Sequence, residues 1–354
     1  MVDRPIPLKP SATRIESMRA VASALRVPPT EALRHSRTGL LGDYIVLSKP
    51  RVLTMVLIAW AIGFDLGSPR VGFALLDPRF WESLLGLAAV AAGSSALNQA
   101  LEHTTDRRMI RTASRPIAQG RIGLIHGLSV GLASVMVGLI LIASGSNLLS
   151  SGLAGLACAG YVLLYTPLKR CTDLNILPGA LFGALPPLIG WTAACGRIGW
   201  PGIALFAILF IWQIPHVIAI GWLNRDDYLR AGIRVPATSG NEEFSARSSA
   251  IWAEISAAIM IPVSLWPAWL HAAGPVYTIA AVALGGWYFV AARNFGRIAG
   301  GPVADKSTAG ARKLLKVSVV YLPVLLFALI LNAHHTNSTH EAGQVEQISR
   351  ASAR

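Results

Sequence analysis

Three polar clusters interrupt long apolar runs in this sequence. The first is Asn98, Glu102 and Asp106. Their i, i+4, i+8 spacing places an amide oxygen and two carboxylates on one helical face over roughly 12 Å. Hard oxygen donors of this kind suit Mg²⁺, which binds few carboxylates together with substrate phosphates. The stripe therefore reads as a metal–diphosphate site, and the five arginines that follow it, Arg107, Arg108, Arg111, Arg115 and Arg121, favour a polyanion. The second cluster, Tyr165-Thr-Pro-Leu-Lys169-Arg170, sets an ammonium beside a planar guanidinium, a natural pair for phosphate. The third joins Trp212-Gln-Ile-Pro-His216, deep in an apolar run, to Asp226, Asp227 and Arg230 just beyond it, where adjacent carboxylates are placed to complete the same site.

Each cluster has a plainer reading. Charges gather at helix ends on membrane boundaries, and a Lys-Arg pair there can serve topology alone. A lone His beside Pro is either a hydrogen-bonded structural residue or a catalytic or porphyrin contact, and both readings stand for His216. For the acidic stripe the functional reading prevails, because polar groups entering an apolar segment are costly.

The elements that must position these residues are membrane helices. The 354 residues carry only 31 Lys or Arg and 18 Asp or Glu, 53% are hydrophobic, and the mean hydropathy is +0.52. The apolar windows lack both the polar stripe of a water-facing helix and the two-residue alternation of a barrel strand. Window length predicts an all-α, polytopic helical bundle of about nine transmembrane helices, near 52–67, 82–101, 122–143, 147–166, 174–194, 201–222, 250–270, 275–292 and 315–332. Residues 1–43 read as a polar, disordered arm, 44–332 as the membrane domain and 333–354 as a polar tail. Of the Lys and Arg residues, 26 fall on one predicted face and five on the other, which puts the N-terminus on the cytoplasmic side. These basic residues sit in alternate loops without interleaved aromatics, so the net charge of +13 does not signal nucleic acid. Cys158, Cys171 and Cys195 match no metal spacing and read as packing residues.

The clusters, in this order and on these helices, resemble the UbiA superfamily of intramembrane prenyltransferases, and within it the haem-farnesylating branch. The motifs that carry the likeness span about residues 44–332. They are Lys49-Pro50-Arg51, Met109-x-Arg111-Thr112-x-x-Arg115-Pro116, Tyr165-Thr-Pro-Leu-Lys169-Arg170, Pro186-Pro187-Leu-Ile-Gly190-Trp191, Trp212-Gln-Ile-Pro215-His216, Asp227-Tyr228 and Tyr321-Leu322-Pro323. Two features look more like the mitochondrial branch: Glu102, where many bacterial members have Asp, and Gln213-Ile-Pro-His in place of Thr-Pro-Pro-His. Where relatives have a second Asp-x-x-x-Asp motif, the ends here are Asn224 and Tyr228, which leaves Asp226 and Asp227.

The resemblance implies a UbiA-like fold and farnesyl transfer from farnesyl diphosphate to a vinyl group of haem b, giving haem o. It implies Mg²⁺ on Asn98, Glu102, Asp106, Asp226 and Asp227, with the diphosphate on Arg111, Arg115, Lys169, Arg170 and Arg230. Tyr165 would face the allylic cation, with Asp106, Arg111, Lys169 and Arg170 beside it in the catalytic set, and Trp212 and His216 would touch haem. The setting is a lipid bilayer, the bacterial inner membrane or, in a eukaryote, the mitochondrial one, with a haem A synthase as a candidate partner. The rivals are a relative with another aromatic or tetrapyrrole acceptor, and a haem-binding transporter or chaperone.

Overall fold

The computed structural model describes residues 39–69, 72, 74–299 and 304–352, and of 304–306 and 334–352 the helical backbone alone. The arm expected at 1–43 lies outside the described residues as far as position 38, as do the side chains of the tail from 334. Among the described residues nine helices are long and apolar enough to cross a membrane. In chain order the helices are α1 (Leu40–Ser48), α2 (Pro50–Gly67), α3 (Pro78–Leu101), α4 (Leu124–Gly145), α5 (Leu148–Leu168) and α6 (Asp173–Cys195). They continue as α7 (Trp200–Leu223), α8 (Arg225–Ala231), α9 (Glu242–Trp269), α10 (Pro275–Ala299) and α11 (Ala304–Ser352). The protein is an all-α integral membrane bundle, and α1 and α8 are short additions to the nine expected spans.

Local sequence sets the helix ends. Asp77 caps α3 by accepting from the Arg79 N–H at 2.9 Å, with Pro78 in the first turn where its missing N–H costs nothing. Asn241 caps α9 through the Phe244 N–H at 2.8 Å, and Glu242 and Glu243 favour the positive end of the helix dipole. This cap starts α9 eight residues before the expected 250, because an apolar window cannot see a polar first turn. α5 contains a π-helical turn over Gly160–Tyr165. Pro167 has no N–H to continue the α ladder, and the Tyr161 carbonyl instead accepts from the Thr166 N–H and, at 2.8 Å, from its hydroxyl.

Two apolar cores hold the helices together. One joins α2 to α6 around Trp60, Phe64, Phe80, Ile142 and Ile189, and the other joins α7 and α9 to α11 around Met260, Tyr277, Tyr288, Phe295 and Tyr321. In hydrocarbon, close packing of small residues replaces the hydrophobic drive between helices. Gly86 and Gly93 of α3 accordingly lie against the backbone of Gly138 and Gly131 of α4. The tightest approach is α2 on α6, where a Cβ at Gly63 would run into the Pro187 carbonyl and one at Gly190 into the Trp60 carbonyl. Gly190→Ala is expected to destabilise the bundle by about 3 kcal/mol through overpacking. Gly152, whose Cβ would meet nothing within 4 Å, serves as the control. Thermal unfolding in detergent compares the two, and equal melting temperatures would contradict the seam.

Candidate active site

The acidic stripe runs on past the end of α3. The Glu102 N–H donates to the Asn98 carbonyl at 2.9 Å and the Asp106 N–H to that of Glu102 at 2.8 Å. A one-turn helix, His103–Asp106, thereby carries the i, i+4, i+8 register past the end of α3. All three side chains line one cavity, which they share with Lys49, Arg111, Arg115, Tyr161, Tyr165, Lys169 and Tyr228. Its apolar side includes Val217, Ile218 and Gly221 of α7.

Three loops close the polar end. In the segment after Asp106, successive turns bring Arg115 back so that its Nη1 reaches both Asp106 carboxylate oxygens at 2.8 Å. The 169–175 loop is tied to the segment after α8: the Arg234 N–H donates to the Lys169 carbonyl at 2.8 Å, and Asn175 Nδ2 to the Arg234 carbonyl at 2.6 Å. Asp227 accepts from the backbone N–H groups of Ile110 at 3.2 Å and Arg111 at 3.3 Å, and also from Arg230. It thus holds the turn that carries Arg111. Asp227→Ala is expected to raise the KM for the prenyl donor about tenfold by releasing this turn, whereas Asp226→Asn should leave it unchanged. Steady-state kinetics of both variants checks the difference.

The cavity holds its charges in pairs. Lys169 Nζ donates to Glu102 Oε1 at 2.9 Å and sits 4.4 Å from the centre of the Tyr165 ring, a cation–π contact. Burial pushes the Glu102 carboxyl up, but the Lys169 and Lys49 ammoniums outweigh it and hold it below its usual range. The π turn aims Tyr161 and Tyr165 together, their rings 5.6 Å apart and both on the cavity.

Lys49 belongs to the site, although sequence reasoning saw it only as part of a motif. It joins α1 to α2 in a left-handed conformation, φ 52° and ψ 64°. Pro50 disfavours the α region for the residue before it, and Gln99 Nε2 clamps the joint by donating to the Leu47 carbonyl at 2.9 Å. Lys49 Nζ donates to Asn98 Oδ1 at 2.8 Å, and the Tyr161 hydroxyl donates to the same oxygen at 3.2 Å. Burial, with Arg115 and Lys169 nearby, pushes the Lys49 ammonium down to about 7. Lys49→Met is expected to raise the prenyl-donor KM about tenfold, the value of one charge-assisted hydrogen bond. Binding of inorganic diphosphate, followed by calorimetry, reads this loss independently of turnover.

Other candidates lie outside the cavity lining. The Asp226 side chain is 81% exposed and faces Arg225 at 4.0 Å. Arg230 is held by Asp227, and the exposed Arg170 reaches the Thr105 hydroxyl. Trp212 and His216 face Ser318 of α11, at 2.8 Å to its carbonyl and hydroxyl oxygens respectively. Asn98, Glu102 and Asp106 supply the oxygen donors on one wall, and these fit Mg²⁺. Among the described residues no third acid, Cys or His completes a closed cage, and Mg²⁺ completes its shell with water and substrate phosphate.

The family profile described as the UbiA prenyltransferase family matches residues 52–309. The chain belongs to that family. UbiA relatives over nearly the whole length include a protein named protoheme IX farnesyltransferase from Koribacter versatilis, 37% identical over 89% of this chain and 99% of its own. One of the same name from Solibacter usitatus is 37% identical over 82% and 98%. Among solved UbiA-type structures, one described as digeranylgeranylglyceryl phosphate synthase superposes with a TM-score of 0.68 at 17% identity, covering 83% of this chain and 99% of that one. A UbiA homologue from Archaeoglobus fulgidus, bound to GPP and Mg²⁺, gives 0.58 at 17% identity over 81% and 99%. These superpositions establish the UbiA fold for the described bundle.

Proposed function

We propose that this UbiA prenyltransferase transfers the farnesyl group of farnesyl diphosphate to a vinyl group of haem b, forming haem o. The observation that carries this reading is the near-full-length likeness, at 37% identity, to relatives named protoheme IX farnesyltransferase. The cavity supplies matching chemistry, with cations and oxygen donors at its polar end and an apolar wall on α7.

Lys49, Arg111, Arg115 and Lys169 bind the diphosphate, and their charges stabilise the electrons that pass to it as the C1–O bond breaks. Asn98, Glu102 and Asp106 would hold Mg²⁺, which when bound neutralises charge on the phosphate oxygens. On arrival of the anion, Lys169 and Arg115 exchange their carboxylate partners for phosphate oxygens, freeing Glu102 and Asp106 for the cation. Tyr165 and Tyr161 present ring faces to the allylic cation. The vinyl carbon attacks C1, and water captures the cation left beside the porphyrin ring, releasing a proton and leaving a hydroxyethylfarnesyl group. No residue need act as nucleophile, since positioning and charge stabilisation suffice.

On this reading the N-terminus lies on the cytoplasmic side of a bacterial inner membrane, following the Lys and Arg asymmetry. The haem o product passes to a haem A synthase partner. The test is mass-resolved chromatography of haems from membranes containing this protein, supplied with haem b, farnesyl diphosphate and Mg²⁺. A farnesylated, hydrated haem is expected. Diphosphate release with haem b untouched would keep the prenyl chemistry and reject the acceptor, and absence of both in correctly inserted protein would favour transport or chaperoning.

A further inference from the structure

We propose that His216 Nε2 is the axial ligand of the haem iron, so that the acceptor is oriented by a bond to its metal as well as by shape. The proposal rests on haem being the acceptor and adds a coordination site to that reading.

The protonation of the ring follows from its neighbours. His216 Nδ1 lies 2.8 Å from Ser318 Oγ. The serine hydroxyl has one proton, and it donates that proton to the Leu315 carbonyl at 2.7 Å. With that proton engaged at Leu315, the hydroxyl oxygen is the acceptor for the imidazole, an assignment from the hydrogen-bond network that puts the ring proton on Nδ1 and leaves a lone pair on Nε2. No hydrogen bond to Nε2 occurs among the described residues, and the ring stacks on the Trp212 indole at 4.9 Å and 24°. A bare acceptor within a membrane helix is costly unless something occupies it.

The surroundings hold the ring as a ligand is held. Trp212 is fixed at both ends, its Nε1 donating to the Ser318 carbonyl at 2.8 Å and its own carbonyl accepting from the Tyr288 hydroxyl at 2.9 Å. A ligating histidine characteristically donates its other N–H to an oxygen that sets tautomer and ring orientation, and Ser318 is placed to do so. Neutral imidazole suits haem iron. The location is also consistent with transfer. His216 immediately precedes Val217 and lies about 8 Å along α7 from Gly221, both of which line the cavity that receives the diphosphate. Phe206 and Phe210, stacked 6.0 Å apart about three and two turns before His216 in α7, are flat apolar surface on the same helix.

The test uses the full-length protein in lipid nanodiscs, titrated with haem b and with metal-free protoporphyrin IX. In the wild type, resonance Raman spectra of the ferrous complex should show an iron–histidine stretching band, and haem should bind more tightly than the metal-free ring. His216→Ala should lose the band and at least tenfold in haem affinity, leaving protoporphyrin affinity unchanged. Ser318→Ala should shift the band and weaken haem binding about tenfold, the usual effect of removing such a support. If the wild type farnesylates haem yet shows no band, or the band survives in His216→Ala, the ligand assignment is wrong while the function stands. The wild-type spectrum decides this even if a variant fails to insert. A wild type that neither binds nor farnesylates haem would instead overturn the acceptor itself.

Discussion

Lys169→Ala is expected to lower kcat/KM for farnesyl diphosphate on the order of a thousandfold and to destabilise the protein by about 3 kcal/mol. The two effects have different origins. The first is loss of a cation aimed at the departing diphosphate from 4.4 Å over the Tyr165 ring. The second arises because the Glu102 side chain, only 10% exposed, loses its partner and keeps its charge. The double variant Lys169→Met with Glu102→Gln removes both charges, so it should recover most of the stability and none of the activity. Unfolding midpoints and prenyl-transfer rates for the two singles and the double measure this separation. A double variant as unstable as Lys169→Ala would show that the pair is not the source of the loss.

Asp106→Asn should reduce turnover by a similar factor with the protein still inserted. Asp106 is fully buried and both its oxygens accept from Arg115. The amide keeps the shape but offers one neutral oxygen in place of two anionic ones, so it weakens both the cation site and the hold on the Arg115 guanidinium. The apparent Mg²⁺ requirement separates these consequences. A higher Mg²⁺ concentration for half-maximal rate is expected of a lost ligand, whereas a raised farnesyl diphosphate KM at unchanged Mg²⁺ demand would make Asp106 a positioning residue for Arg115. Normal turnover would remove the acidic stripe from the mechanism.

The stripe of Asn98, Glu102 and Asp106 was legible because helical spacing is local and the backbone hydrogen bonds persist beyond the last membrane turn. The nine spans were legible for the same reason, since hydrocarbon thickness imposes a length that composition reveals. What composition hides is local geometry and distant pairing. The start of α9 lies in a polar turn, and the π turn in α5 is a matter of hydrogen-bond count. Lys49 looked like a residue before a membrane helix, and only the Gln99 clamp, 50 positions away, makes it a wall of the cavity. Asp227 reads in the sequence as a metal ligand beside Asp226, and nothing there announces that the N–H groups of residues 110 and 111 fold back onto its carboxylate.

The π turn has a consequence for how this helix tolerates change in length. It amounts to one residue more than an α-helix needs between two fixed points: the face of Leu148–Ala159 packed on α4, and the Lys169 carbonyl tied to Arg234. Removing one residue between 160 and 165 would straighten the helix without moving either anchor far. It would also change the angle between Tyr161 and Tyr165 around the helix axis. The helix thus stores a single-residue phase adjustment, through which the aromatic lining of the cavity could be altered while the bundle around it stays as it is.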